Sequence, residues 1–342
     1  MSFKYIRPVP TPEEIKAEIP LDKKHIDIKA ERDRSIRDIF ENKSSKKLLI
    51  IGPCSADNED AVMDYMHRLA AVYSKVADKL LIIPRIYTNK PRSTGEGYKG
   101  MLHQPDVSEE ADMKKGIYSI RRLHKRLIDE TGMTAADEML YPENSRYLDD
   151  ILAYHAVGAR SVENQEHRLT ASGVNEPVGM KNPTSGDINV MLNSVKAAQL
   201  PHRFIFNGYD VQTDGNTLAH AILRGAINQH GQNIPNYHYE DLVMLAEKYL
   251  QSGLRNPAVI IDCNHANSMK KWDEQPRIAR EVLINAGKSA TIAKLFKGLM
   301  IESYLQDGNQ SESGTNYGQS ITDSCLGWEK TERLIYEIAD MV

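Results

Sequence analysis

Cysteine is scarce in this chain, with three residues in 342. So sparse and odd a set argues against a disulfide framework and leaves metal binding or thiol reactivity as the open questions. No apolar run approaches the roughly 18 to 20 residues that a membrane span needs. The opening MSFKYIRPVPTPEE lacks the apolar core of a secretory signal, so a cytoplasmic protein is expected. Neither sign of charge dominates, with 43 Lys and Arg against 47 Asp and Glu, and no basic stripe is interleaved with aromatics. Nucleic acid and membrane are therefore not the expected partners, and a small-molecule enzyme fits better.

Order begins at Lys47 to Ser55, KLLIIGPCS. Leu48 to Ile51 are consecutive branched apolar residues stopped by Gly52 and Pro53, the pattern of a strand buried on both faces in a parallel sheet. Gly52 admits unusual backbone angles and Pro53 fixes φ, so Cys54 is held on a rigid turn. Most buried cysteines are small core fillers, but a held thiol can also bind a metal. Downstream, strand-like and helix-like runs alternate. Strands are expected at 48–52, 80–87, 134–138, 157–161, 178–182, 218–224, 258–262 and 298–302, with amphipathic helices such as 61–76, 114–129 and 242–250 between them.

A doubly wound open sheet is the alternative, but eight βα units over about 295 residues favour an α/β fold closed into a (β/α)8 TIM barrel. The barrel is expected to span 47–342, with 1–46 as an N-terminal arm. Within the arm, a helix-like segment at 25–42 carries Ile26, Ile28, Ile36, Ile39 and Phe40, which need a surface to cover. That surface is either the barrel, closed by the helix as a plug, or a neighbouring subunit. Two insertions break the rhythm: the loop 88–112 and, after the fifth βα unit, a hairpin-like stretch at 203–216. Long insertions in compact domains are usually functional or interfacial.

In a barrel the active site is built where strands end. Those positions hold Cys54, Arg85 with Lys90, Glu138, Arg160, Lys181, Arg224, Asp262 with His265, and Glu302. Cations at successive strand ends repel one another and call for an anion, best one carrying phosphate and carboxylate together. Cys54, His265, Glu302 and Asp323 offer one thiolate, one imidazole and two carboxylates, a mixed set suited to a borderline divalent ion such as Mn²⁺, Fe²⁺, Co²⁺ or Zn²⁺. No zinc-finger spacing is present, so separate structural roles stay open on the residues alone, and Asp262 can be an orienting partner of His265.

The motifs GPCS (52–55), KPRS (90–93), GARSVENQEHR (158–168), GMKNPTSG (179–186), LRG (223–225), DCNHANS (262–268), IESYLQDGNQ (301–310) and SITDSCLGWE (320–329) occur in this order. Together they resemble the type I 3-deoxy-D-arabino-heptulosonate 7-phosphate (DAHP) synthases. The resemblance implies a metal-dependent barrel that condenses phosphoenolpyruvate with erythrose 4-phosphate, the first step of the shikimate pathway toward chorismate and the aromatic amino acids. It implies metal ligands at Cys54, His265, Glu302 and Asp323, and a phosphoenolpyruvate site at Arg85, Lys90, Glu138, Ala159, Arg160, Lys181 and Arg224. The aldose phosphate is expected at Arg92 and Ser93. Catalytic roles are expected for Cys54, His265 and Lys90, the last as proton donor, its pKa depressed by cationic neighbours, or as a fixed charge. A homodimer or homotetramer is also implied. Pro91 in KPRS argues against the related octulosonate 8-phosphate synthases, which carry asparagine there. Regulated relatives bind an aromatic amino acid beside the hairpin. Bulky Phe206, where some carry a small hydroxyl residue, leads us to expect weak inhibition or none.

Overall fold

Each apolar run becomes a parallel strand: β1 (Lys47–Gly52), β2 (Leu80–Pro84), β3 (Ala136–Glu138), β4 (Tyr154–Val157), β5 (Val178–Lys181), β6 (His220–Leu223), β7 (Val259–Asp262) and β8 (Phe296–Glu302). Every strand but β2 pairs with the next in sequence, and β8 pairs with β1. A parallel bridge between Arg85 and Ala136 joins β2 to β3 and closes the barrel. These features belong to a computed structural model in which residues 2–342 are described. Strand side chains alternate: Leu48 and Ile50 point into the barrel with Leu81, Ile83, Ile222, Ile260 and Met300. Leu49 and Ile51 point outward, against the helix layer.

Two helices precede the barrel, α1 (Pro12–Glu18) and α2 (Lys23–Phe40). Asp22 caps α2, its side chain accepting from the His25 N–H. The helix ends with Ile36, Ile39 and Phe40 inside the barrel cluster, which places α2 across the floor as a plug. The Phe40 ring lies 4.5 Å from His220, whose Nε2 is 2.7 Å from the Tyr154 hydroxyl. Polar anchors fix the rest: Arg32 donates to Thr134 Oγ1 at 3.0 Å, and Lys29 to Glu176 at 2.8 Å.

The fourth strand lies at 154–157, not at the expected 157–161. Tyr154 and His155 do not read as an apolar run, yet both are buried, and the Tyr154 hydroxyl is satisfied by His220. Residues 158–161 form the turn beyond the strand, which leaves Ala159 and Arg160 at the rim. The hairpin after the fifth unit is present: Arg203–Phe206 pairs antiparallel with Tyr209–Gln212. Its two-residue turn, Asn207 and Gly208, has φ of 49° and 79°, the left-handed pair that a tight hairpin requires.

Candidate active site

Cys54 stands where β1 meets its turn. A Cβ on Gly52 would lie 2.4 Å from the Arg85 carbonyl oxygen, so only glycine lets the two strand ends approach this closely. Cys54, Glu302 and Asp323 each bring a ligand atom within 4.8 Å of the others, a group that can hold a metal ion. Cys54 Sγ is 3.6 Å from Asp323 Oδ2, and His265 Nε2 is 3.8 Å from Glu302 Oε1. The thiol and two carboxylates form one group drawn from β1, β8 and the segment after β8, and His265, from the segment after β7, stands beside Glu302 but outside that trio. His265 Nδ1 lies 2.8 Å from Asp262 Oδ2, close but not aligned as a hydrogen bond, and the other ring nitrogen faces Glu302.

Burial pushes the Cys54 thiol up to about 12, and Glu302 adds to the rise. A divalent cation reverses that balance, because a coordinating thiol deprotonates. The donor chemistry, hard carboxylates with one soft sulfur, fits a borderline ion better than Mg²⁺.

The substrate-binding candidates fall into two groups. Arg85 and Lys90 are tied to the anionic cluster: Arg85 Nη2 donates to Glu302 Oε1 at 2.7 Å, and Lys90 Nζ lies 2.7 Å from Cys54 Sγ and 3.0 Å from Asp323 Oδ2. Burial lowers the Lys90 pKa, but Cys54 and Asp323 outweigh it and hold the ammonium above the ordinary lysine range. The expectation of a depressed Lys90 pKa is thus not met, because its immediate neighbours are the Asp323 carboxylate and the Cys54 sulfur rather than cations.

The second group faces the barrel mouth. Lys181 Nζ is 3.0 Å from Asp262 Oδ2, and Arg160 donates to Ser93 Oγ at 2.7 Å. Glu138 packs so close to the next strand end that a Cβ on Gly158, beside Ala159, would lie 2.3 Å from its carboxylate. Arg224 is buried, and its Nη1 is the one buried Arg or Lys nitrogen without a hydrogen-bond partner among the described residues. Burial pulls the Arg224 pKa down; Asp262 opposes that fall and Arg160 adds to it, and no acceptor meets Nη1 directly. Arg92 is held by the Tyr98 carbonyl at 2.8 Å and by Glu312 at 3.2 Å, which orders the loop carrying Ser93.

Three residues around the cluster carry no expected role from sequence reasoning. Asn264 donates to Glu302 Oε2 at 2.6 Å, Gln275 bonds both the N–H and the carbonyl of Glu302, and Lys270 Nζ is 3.3 Å from Asp323 Oδ1. Asn264 lies inside DCNHANS, but nothing in that string points to Glu302. Beside the hairpin, Phe204, Phe206 and Glu176 line a cavity of about 560 Å³. Phe206 narrows this space without filling it, so it does not by itself exclude an aromatic amino acid.

The chain matches the DAHP synthetase I family over residues 18–335. It is 37% identical to the Tyr-sensitive phospho-2-dehydro-3-deoxyheptonate aldolase of Escherichia coli, over 96% of this chain and 91% of that one. It is 38% identical to the Phe-sensitive enzyme of the same species, over 90% and 87%. The solved phospho-2-dehydro-3-deoxyheptonate aldolase of Francisella tularensis superimposes with a TM-score of 0.92 at 31% identity, covering 100% of this chain and 98% of that one. With a closed parallel barrel and a cationic, thiol-bearing mouth already in place, these matches show that the chain belongs to the DAHP synthetase I family.

Proposed function

We propose that this protein condenses phosphoenolpyruvate with erythrose 4-phosphate to give DAHP and phosphate, using one divalent metal ion. The observation that carries the reading is Arg224, a buried guanidinium with an unpartnered nitrogen next to Arg160 at the mouth of the barrel. An incoming phosphate supplies the missing acceptor, and the Arg fork matches its geometry. Arg160, Lys181 and Arg224 hold the phosphate of phosphoenolpyruvate; Arg85 and Lys90 lie toward its carboxylate; Arg92 and Ser93 receive the aldose phosphate. Glu138 and the Ala159 backbone complete the wall.

C3 of the enolpyruvate attacks the aldehyde carbon, water adds at C2, and phosphate leaves with C–O cleavage. Cys54, His265, Glu302 and Asp323 are the ligands of the ion, which when bound supplies Lewis acidity toward the aldehyde oxygen. Lys90, an ammonium beside Cys54 and Asp323, contributes a fixed positive charge and is the proposed proton donor. The loop at 88–112 reaches the strand ends through Lys90 and Ser93, which would help orient both substrates before the bond forms.

A turnover assay that follows loss of enolpyruvate absorbance tests the reading. Turnover is expected with erythrose 4-phosphate and not with a five-carbon aldose phosphate; the reverse preference would reassign the substrate. Exhaustive chelation should abolish activity, with recovery in Mn²⁺, Fe²⁺ or Co²⁺ and little in Mg²⁺. Full activity with chelator present would rule the metal out.

We also propose a homodimer or homotetramer. Phe3, Tyr5 and Ile6 of the arm are 80%, 92% and 86% exposed, and Ile205 and Tyr209 of the hairpin 81% and 67%, apolar surface that a second copy would cover. No helix among the described residues is long and apolar enough to cross a membrane.

A further inference from the structure

Glu302 is gripped from four directions. The Gln275 amide accepts from its backbone N–H and donates to its carbonyl, each at 2.9 Å. Arg85 Nη2 meets Oε1 at 2.7 Å and Asn264 Nδ2 meets Oε2 at 2.6 Å. Of the two donors on the carboxylate, Arg85 is charged and Asn264 is neutral. A neutral donor fixes an oxygen without cancelling its charge, so the carboxylate keeps negative charge for a cation.

The orientation of the Asn264 amide is itself set. Ser268, fully buried, donates its hydroxyl to Asn264 Oδ1 at 2.8 Å, which leaves Nδ2 as the end that faces Glu302. A flipped amide would put oxygen against a carboxylate oxygen. The Asn264 side chain also reaches the Ser324 carbonyl, next to Asp323, at 3.4 Å. Its backbone N–H bonds Asp262 Oδ1 at 3.0 Å, and the other oxygen of Asp262 lies 2.8 Å from His265 Nδ1. That backbone contact survives a change of side chain; the grip on Glu302 does not.

We infer that Asn264, held by Ser268, is a positioning residue that orients Glu302 as a metal ligand and so sets the affinity and geometry of the metal site. The inference rests on the proposed ligand set of Cys54, His265, Glu302 and Asp323. Loss of an outer partner of this kind commonly weakens metal binding about 10- to 100-fold.

The test is Mn²⁺ titration by calorimetry on metal-stripped wild type, Asn264→Leu, Ser268→Ala and Glu302→Gln, with the visible absorption of bound Co²⁺ as a second readout of ligand geometry. Wild type should bind tightly and Glu302→Gln should not. Asn264→Leu, close in volume but without a donor, should bind Mn²⁺ about 10- to 100-fold more weakly and shift the Co²⁺ bands. Ser268→Ala should move both readouts in the same direction by less. Asn264→Leu that folds normally, with Mn²⁺ affinity within twofold of wild type and an unchanged Co²⁺ spectrum, overturns the inference. Should that variant fail to fold, unchanged binding by Ser268→Ala overturns it instead. A wild type that binds neither ion refutes the ligand set itself, an outcome separable from failure of Asn264 alone.

Discussion

The two ends of the barrel treat charge in opposite ways. On the floor, along the α2 plug, Lys29 finds Glu176, Arg32 finds Thr134, and His220, stacked on Phe40, finds Tyr154. At the mouth, Arg224 keeps a buried nitrogen unpartnered, with Arg160 as its neighbour, and three acidic or thiol groups crowd within 4.8 Å. The floor is resolved within the chain and stabilises it. The mouth pairs Arg85, Lys90 and Lys181 with carboxylates but leaves Arg224 Nη1 without an acceptor, a gap that the proposed substrate would fill.

Substitutions at the two ends should therefore separate stability from activity. The largest effect is expected at the plug: Phe40→Ala should remove about 3–5 kcal/mol of stability in urea unfolding while kcat/KM of the folded enzyme changes little. A comparable loss of kcat/KM without loss of stability would mean the floor is not merely structural. Next is Glu176. Burial pushes its carboxyl up, but His155 and Lys29 pull harder and hold it at about 2. Because the folded pKa lies below the unfolded one, this stability is present above about pH 4.5 and lost as pH falls toward 2. At 1.36 kcal/mol per pH unit the contribution is roughly 3 kcal/mol. Glu176→Gln should flatten that part of the stability profile, and an unchanged acid slope would remove Glu176 from the account.

At the mouth, Arg224→Met should lower kcat/KM for phosphoenolpyruvate by about 2–3 kcal/mol, the range for a charged hydrogen bond, without lowering stability. A drop in unfolding free energy with intact kinetics would place Arg224 with the floor residues. Lys181→Ala should lose about 2 kcal/mol in kcat/KM, and some stability as well because Asp262 loses its 3.0 Å partner. Unchanged kcat/KM would exclude Lys181 from the site.

Much of the barrel was legible because its signals are local. Leu48 to Ile51 announce β1, and the Gly52–Pro53 stop explains how Cys54 is held. The fourth strand was misplaced because Tyr154 and His155 look polar in sequence, and only the Tyr154 to His220 contact shows how the strand buries them. The cations of the mouth were legible as strand ends, whereas their pairing was not: Arg85 and Lys90 are tied to Glu302, Cys54 and Asp323, far away in the chain. Asn264 was invisible for the same reason, since an amide carries no sign of the carboxylate 38 positions away that it holds.

The most direct test of the contrast between the two ends is thermal unfolding of wild type and Arg224→Met, each with and without phosphoenolpyruvate at about 100 times the wild-type Kd. Ligand that binds only the folded state should stabilise wild type by about 2.7 kcal/mol, a rise of several degrees in Tm. The account predicts that rise in wild type and little or none in Arg224→Met, whose unliganded Tm matches or exceeds that of wild type. Equal ligand-induced shifts in the two proteins would contradict it.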